Sequence, residues 1–109
     1  MPSYSRTDVL LVRYPFSDLS GTKLRPAVVV SAPHPSSDYL IVALTSRTHA
    51  LGPGEFVLAP WLQAGLNVPS ATKRGIATAH SSLIVKRLGQ LEPHDAQRLD
   101  QSLRQWLGI

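Results

Sequence analysis

Residues 25–32 read Arg-Pro-Ala-Val-Val-Val-Ser-Ala. Three consecutive β-branched valines favour a strand, and a continuous apolar run is typical of a strand that is covered on both faces. Pro26 has no N–H to donate, so the sequence predicts that it opens this strand. Arg25 would then lie where a polar loop meets the strand.

Apolar segments flank this strand on both sides. Residues 9–14 read VLLVRY and end at Pro15 and a turn-forming SDLSGT segment, while residues 39–45 read YLIVALT after a turn rich in Pro and Ser. Both segments are predicted strands, and the second and third strands are predicted to pair as a hairpin. Further short strands are predicted at 55–58, within 71–80 and at 83–91.

The spacing of apolar residues becomes helical at the C-terminal end. The residues that recur at intervals of three and four are Ala96, Leu99, Leu103, Trp106 and Leu107. With Pro93 in the first turn and Gly108 at the end, this pattern predicts an amphipathic helix over about 93–107 that buries Trp106. Trp61 is interpreted as either a loop anchor or an interface residue. The 109 residues are thus expected to form one mainly β domain, a small barrel capped by a C-terminal helix.

The composition excludes several kinds of site. The chain has no cysteine, which removes disulfides, thiolate metal sites and thiol nucleophiles and is consistent with a reducing compartment. Its four histidines are scattered without metal-ligand spacing, so no metal site and no cofactor is expected. The polar N-terminus and the lack of a long apolar run predict a cytoplasmic protein without a membrane segment.

Positive charge is concentrated in the predicted strands. The formal net charge is +4 and the pI is about 10.0. Up to residue 91 there are nine Lys/Arg against four Asp/Glu, a balance of +5, whereas residues 92–109 carry two against three, a balance of −1. A polyanion is therefore a plausible partner of the β-rich part.

Two segments combine groups that suit phosphate chemistry. They read KLRPAVV at 23–29 and ALTSR at 43–47, on the two strands of the predicted hairpin. If the hairpin forms, Arg25 and Thr45 lie at the same end. A guanidinium offers a planar fork of donors to a phosphate, and hydroxyls add hydrogen bonds that orient it. The alternative is that Arg25 is a surface arginine at a strand edge and that Thr45 only fills a strand position.

Seven segments occur in a characteristic order along the chain. They are DVLLV (8–12), YPFSDLSG (14–21), KLRPAVVV (23–30), ALTS (43–46), AGL (64–66) before Pro69-Ser70, SLIVKRLG (82–89) and LG (107–108). Together they resemble the MazF/PemK family of toxin endoribonucleases over nearly the whole sequence. The resemblance implies an SH3-like barrel with a C-terminal helix, the fold type of MazF, PemK and CcdB toxins.

The same resemblance implies an activity and partners. Such toxins are usually homodimers that cut single-stranded RNA at short sequences and are held inactive by an antitoxin, whose complex with the toxin binds its own operator DNA. The family's catalytic positions map to Arg25 and Thr45, with Ser46 beside them. Metal-free cleavage in such enzymes proceeds by attack of the ribose 2′-hydroxyl and leaves a 2′,3′-cyclic phosphate and a 5′-hydroxyl. Because a guanidinium does not readily give up its proton in proteins, Arg25 is assigned mainly to stabilising phosphorane charge.

The general base remains open. Family members use an acidic residue in the first loop or an Arg and acid pair on a later strand. Here Asp18 is the loop carboxylate, whereas the later position reads Lys73-Arg74-Gly75 and has no acid. Thr7 also replaces the glycine that the family has before the first Asp-Val.

Cations and aromatic side chains are candidates for binding RNA, since single-strand binders combine the two. The candidates are Tyr14, Phe16, Lys23, Arg47, Lys73, Arg74, Lys86 and Arg87. In the alternative interpretation the paired cations form a solvated face and Phe16 packs on the barrel. A second functional hypothesis is a non-catalytic toxin on the same barrel, such as a DNA gyrase inhibitor, which would not need Arg25 together with Thr45.

Overall fold

The computed structural model describes residues 3–15 and 22–109. Within that part of the chain lie six strands, one α-helix and one short 3-10 helix, Ser81–Leu83. The strands are β1 (Asp8–Pro15), β2 (Thr22–Val29), β3 (Asp38–Thr45), β4 (Ala71–Thr72), β5 (Ala77–His80) and β6 (Ile84–Gln90). The helix α1 spans Pro93–Leu107, the range that the sequence predicts. The prediction of a mainly β fold with a C-terminal helix is confirmed.

The strands form an antiparallel sheet in the order β4-β3-β2-β1-β6, and β5 also pairs with β3. β3 is hydrogen-bonded to β2 on one edge, while its other edge carries β5 along Asp38 to Ile41 and β4 at Leu44 and Thr45. Among the described strands no pairing joins β6 to β4 or β5, so the predicted barrel is an incompletely closed sheet. β2 lies between β1 and β3, as its apolar run indicates.

The core has two clusters, one on each face of the central strands. Val28 and Val29 are both 0% exposed and belong to different clusters, which confirms that β2 is covered on both faces. The first cluster joins Val28 to the helix residues Leu99 and Leu103, and the second joins Val29 to Ile41. Full burial of one such side chain contributes about 1.5–3 kcal/mol, so β2 holds the two layers together.

β2 begins earlier than predicted. Residues 22–24 pair with residues 13–15 of β1, so the strand starts four residues before Pro26. The β2–β3 ladder begins only at Ala27, and the missing N–H of Pro26 therefore interrupts no described pairing on that side. Arg25 consequently lies inside β2, opposite Val12, and not at the start of the strand.

Two other predicted strands differ from the structure. Residues 55–58 contribute only one isolated bridge, from Val57 to Ala71, so the prediction of a strand there was wrong. The predicted strand within 71–80 is divided into β4 and β5, with Gly75 between them at φ 137°. Residues with a side chain rarely adopt such a φ. Glycine can adopt it, which allows the chain to leave the sheet at residues 73–76.

Helix α1 has a signal at each end. The Glu92 side chain accepts the His94 N–H at 3.1 Å, and Gly108 ends the helix at φ 72°. Trp106 packs at the edge of the first cluster, as does Trp61, which fits the loop-anchor interpretation. Leu107 was wrongly assigned to the apolar face, because it is 57% exposed.

The buried face of α1 includes two polar side chains that apolar spacing does not reveal, Asp95 and Ser102. Neither helix in the described part of the chain has the length and apolar character that crossing a bilayer requires.

Asp95 gives a prediction about pH and stability. It is 1% exposed; its Oδ2 accepts the Ala59 N–H at 3.1 Å, and the Arg98 guanidinium lies 3.8 Å from Oδ1. Burial raises the pKa of Asp95 and outweighs both favourable contacts. A raised folded-state pKa means that the contribution of Asp95 to stability is largest at low pH and is lost as pH rises through that pKa.

Asp95→Asn keeps a carbonyl oxygen for the Ala59 N–H and removes the charge. Its melting temperature minus that of the wild type should therefore increase between about pH 4 and pH 7, at roughly 4 °C per kcal/mol. Thermal denaturation followed by circular dichroism measures this difference. The control Asp100→Asn removes an exposed carboxylate that is paired with Arg6 and should show no such increase. A pH-independent difference for Asp95→Asn would contradict the assignment.

Candidate functional site

One end of the β2–β3 hairpin borders a cleft of about 790 Å³. Its walls come from the end of β1, from Arg25 within β2, from the end of β3, from residues between 46 and 55 and from the segment that joins β4 to β5. These segments are distant in sequence, so the cleft exists only in the folded sheet.

Arg25 and Thr45 both line this cleft. The β2–β3 ladder pairs Ala27 with Ala43, and continuing that register by two residues sets Arg25 opposite Thr45. The prediction that the two residues lie at the same end of a hairpin is therefore confirmed. Arg25 is exposed, whereas Thr45 is half-buried.

The alternation of side chains places both residues on one face of the sheet. Arg25 shares its face with Ala27 and Val29, and Thr45 shares its face with Ile41. These three apolar residues belong to the second core cluster. The cleft is thus the polar continuation of that cluster, and the packed residues fix the strands that carry Arg25 and Thr45.

The hydroxyl oxygen of Thr45 is held by a hydrogen bond. Its Oγ1 accepts the backbone N–H of Arg47 at 3.1 Å. A hydroxyl group can accept and donate at once, so the proton of Thr45 is left to donate to an anionic group in the cleft. Ser46 lines the cleft beside it and is exposed.

Tyr14 contributes an aromatic ring to the same cleft. It lies near the end of β1 opposite Lys23 and packs against the second cluster. Burial raises the pKa of Tyr14 to about 12. The phenol therefore keeps its proton at neutral pH and is a donor and not an anion.

Positive charge dominates the described lining of the cleft. Four exposed cationic side chains come from three parts of the chain: Arg25, Arg47, Lys73 and Arg74. Glu55 is the one carboxylate among the described lining residues. Low-dielectric walls lined by one sign of charge concentrate the field, so this cleft attracts anions.

Glu55 is a site residue that the sequence analysis missed. Its Oε1 accepts the Gly52 N–H at 2.6 Å and its Oε2 accepts the Arg74 N–H at 2.8 Å. These two hydrogen bonds, with a smaller contribution from the charges of Lys73 and Arg74, lower the pKa of Glu55. A glutamate directly after Gly-Pro-Gly is the only local signal, and it does not reveal a partner 19 residues away.

Several predicted binding residues lie outside the cleft. Lys86 and Arg87 are on β6, at the opposite edge of the sheet from β4, and Arg87 is paired with Asp8 at 3.1 Å. Neither of them lines the cleft that holds Lys73 and Arg74. Lys23 is exposed on β2 but does not line the cleft either. Asp18 and Phe16 lie outside the described residues.

In residues 3–15 and 22–109 no group of three His, Cys, Asp or Glu side chains is arranged to hold a metal ion. His34 and His80 act as turn residues, since their Nδ1 atoms accept the N–H groups of Ser36 and Ser82 at 3.1 Å. His49 lines the cleft.

Comparison with known protein families places this chain in one of them. The sequence profile described as "PemK-like, MazF-like toxin of type II toxin-antitoxin system" matches residues 5–107. The chain belongs to this toxin family. Among curated protein sequences there is no significant match.

Solved structures with the PemK/MazF-like fold agree with this assignment. An endoribonuclease in complex with its cognate antitoxin from mycobacterial species has a TM-score of 0.76 at 20% identity, covering 98% of this chain and 97% of that one. A second mycobacterial endoribonuclease has a TM-score of 0.75 at 20% identity, with coverage of 100% and 95%. The Mycobacterium tuberculosis toxin MazF-mt6 has a TM-score of 0.73 at 16% identity, with coverage of 94% and 97%. At these identities the similarity establishes a shared fold.

The protonation state of Tyr14 in this PemK/MazF-like toxin can be measured. Tyrosinate absorbs near 295 nm, and the difference between the titrations of the wild type and Tyr14→Phe isolates the contribution of Tyr14. That difference should stay flat up to about pH 11, because the pKa of Tyr14 is raised to about 12. A step near pH 10, the ordinary value for tyrosine, would show that the ring is not buried as described.

Proposed function

We propose that this member of the toxin family cleaves single-stranded RNA at short, selected sequences, and that the cleft beside β2 and β3 is its active site. The observation that carries the proposal is that Arg25 and Thr45 line one cleft beside the β2–β3 hairpin, among four cationic side chains and one described carboxylate. A guanidinium and a hydroxyl are suited to holding a phosphodiester between them. The endoribonuclease folds described above support the same activity.

The substrate is RNA in single-stranded form. The cations at the rim bind backbone phosphates, and a half-buried ring such as Tyr14 contacts an unstacked base. Bases within a duplex cannot be splayed into a cleft of this kind, which restricts cleavage to single strands. Selectivity for a short sequence follows if only some bases fit beside the ring.

Cleavage proceeds by attack of the ribose 2′-oxygen on the adjacent phosphorus. A base removes the 2′-hydroxyl proton, the P–O2′ bond forms, and the P–O5′ bond breaks as the 5′-oxygen takes a proton from water. The products are a 2′,3′-cyclic phosphate and a 5′-hydroxyl. The nucleophile belongs to the substrate, so this path requires no metal ion and no cofactor.

Arg25 stabilises the negative charge that builds on the phosphorane. Donors fixed in place before the reaction commonly contribute about 10²–10³-fold each to the rate. The Thr45 hydroxyl donates to a second phosphate oxygen, with its own oxygen already held by the Arg47 N–H. Ser46 is a further donor at the same edge of the cleft.

Asp18 is the carboxylate that we assign as general base. Glu55 is a poor alternative, because both of its oxygens accept backbone N–H groups and its pKa is lowered. A carboxylate stabilised in this way has little tendency to take a proton from a hydroxyl group.

The same electrostatics define the partners. The toxin acts in the cytoplasm as a homodimer, and a cognate antitoxin with an acidic segment occupies the cationic cleft in place of RNA. The toxin–antitoxin complex binds its own operator DNA. The antitoxin partner is supported by the family and by the mycobacterial endoribonuclease that was solved in complex with its cognate antitoxin.

Arg25→Ala tests the active site directly. Cleavage of a single-stranded RNA should fall by at least about 10²-fold, while the melting temperature changes little, because an exposed side chain contributes little stability. Arg25→Lys should be strongly impaired as well, since an ammonium group cannot replace the bidentate fork. The assay detects 5′-hydroxyl ends by labelling with polynucleotide kinase in the presence of excess chelator.

Arg13→Ala is the matched control for Arg25→Ala, because Arg13 is an exposed strand arginine outside the cleft. It should cleave like the wild type. Full cleavage by Arg25→Ala would contradict the site assignment. Growth arrest with intact RNA and cleaved DNA would contradict the proposed activity and favour a gyrase inhibitor.

Two lysines test which surface binds RNA. Lys73 lines the cleft, whereas Lys86 is equally exposed on the far edge of the sheet. In the inactive Arg25→Ala background, Lys73→Ala should weaken binding of a labelled single-stranded RNA and reduce the slope of log K against log salt by about 0.7. Lys86→Ala should leave both unchanged in fluorescence anisotropy. Equal losses for the two variants would place RNA elsewhere.

A further inference from the structure

Glu55 connects two walls of the cleft. Its carboxylate accepts one N–H from Gly52 on one wall and one from Arg74 on the other, at 2.6 and 2.8 Å. Both are hydrogen bonds to an ionised acceptor, which are shorter and stronger than neutral ones. The side chain therefore fixes the distance between the turn at residues 52–55 and the segment that carries Lys73 and Arg74.

The segment at residues 73–76 depends on such support. β4 ends at Thr72 and β5 begins at Ala77, so these four residues lie between ladders. Within the described hydrogen bonds, their main chain is held by the Lys73 N–H to the Ala43 oxygen at 2.9 Å and by the Arg74 N–H to Glu55. Without the second bond, residues 74–76 have no described main-chain hydrogen bond between Lys73 and the start of β5, and they include Gly75 at φ 137°.

The turn that carries Glu55 is itself held in place by helix α1. The Ser102 hydroxyl of α1 donates to the Gly54 oxygen at 2.6 Å, and the Trp106 indole N–H donates to the Pro53 oxygen at 2.9 Å. Gly54 has φ 82°, and a Cβ atom there would lie 2.5 Å from the Trp106 Nε1. The turn that presents Glu55 is thus packed directly on the helix, and the helix supports the far wall of the cleft through Glu55.

The charge of Glu55 opposes what the cleft binds. A carboxylate among four cations repels RNA phosphates, and both of its oxygens are already occupied by backbone N–H groups. We infer that Glu55 is a positioning residue: it holds the main chain of Arg74 so that Lys73 and Arg74 meet the RNA backbone. This inference rests on the proposed function for its substrate.

Glu55→Gln separates geometry from charge. Glutamine keeps the shape but replaces one acceptor oxygen with an NH₂ group, which faces an N–H donor and cannot accept it. Removing a negative charge from an RNA-binding cleft would by itself tighten binding. The positioning role predicts the reverse: KM for a single-stranded RNA rises by about three- to tenfold while kcat stays within about twofold.

Glu92→Gln is a matched control, because Glu92 is the other glutamate of the chain and also accepts a backbone N–H, from His94, outside the cleft. It removes the same charge and should leave KM and kcat as in the wild type. Glu55→Asp retains the charge but is one methylene shorter, so a raised KM in this variant cannot be electrostatic. It also serves as the test if Glu55→Gln does not fold.

An independent measurement is the hydrogen exchange of the Arg74 amide in the free protein. Exchange should be faster in Glu55→Gln and Glu55→Asp than in the wild type and in Glu92→Gln. An unchanged exchange rate, an unchanged or lower KM, or a loss of kcat at constant KM would each overturn the positioning role. A wild-type protein that neither binds nor cleaves RNA would overturn the proposed function, and the exchange of Arg74 would still report on the Glu55 hydrogen bond.

Discussion

The register between β2 and β3 governs the geometry of this molecule. Ala27 pairs with Ala43, Val28 with Val42 and Val29 with Ile41, and the valines are buried on both sides of the sheet. A slip by one residue would turn every side chain of β2 to the other face, so the core on each face strongly specifies the pairing. The hydrophobic effect thereby sets Arg25 and Thr45 on one face, although neither residue belongs to the core.

One side of the cleft consists of packed strands, and the other side is a segment that is held in place by hydrogen bonds. β1, β2 and β3 carry Tyr14, Arg25 and Thr45 on strands whose positions are fixed by packing. Lys73 and Arg74 instead lie between two short strands and take their position from hydrogen bonds to Ala43 and Glu55. Such a site suits the proposed RNA substrate, since a reacting phosphate needs fixed donors while neighbouring phosphates need only a correctly placed charge.

Much of this arrangement could be predicted from the sequence because it depends on local patterns. The helix over 93–107 follows from apolar spacing and from its end residues, and the hairpin follows from two apolar runs with a turn between them. The common position of Arg25 and Thr45 then follows from strand pairing. The early start of β2 could not be predicted, because residues 22–24 are extended only through their pairing with β1.

Glu55 shows most clearly what could not be predicted from the sequence. Its partner Arg74 is 19 residues away, and no local pattern of charge or hydrophobicity connects them. Lys86 and Arg87 are the converse case, since a pair of cations in sequence resembles a binding patch but lies on the edge strand opposite the cleft. The sequence provides candidate residues, whereas the contact between distant loops depends on the folded sheet.

The contact between Gly54 and Trp106 has a consequence for how related sequences diverge. A side chain at position 54 would need both an unfavourable φ and the space that the indole ring occupies. The two positions are therefore expected to change together: a homologue with a larger residue at 54 would need a smaller one at 106 and would lose the indole donor to Pro53. Covariation between positions 54 and 106 would then identify homologues in which the turn and the helix pack together differently.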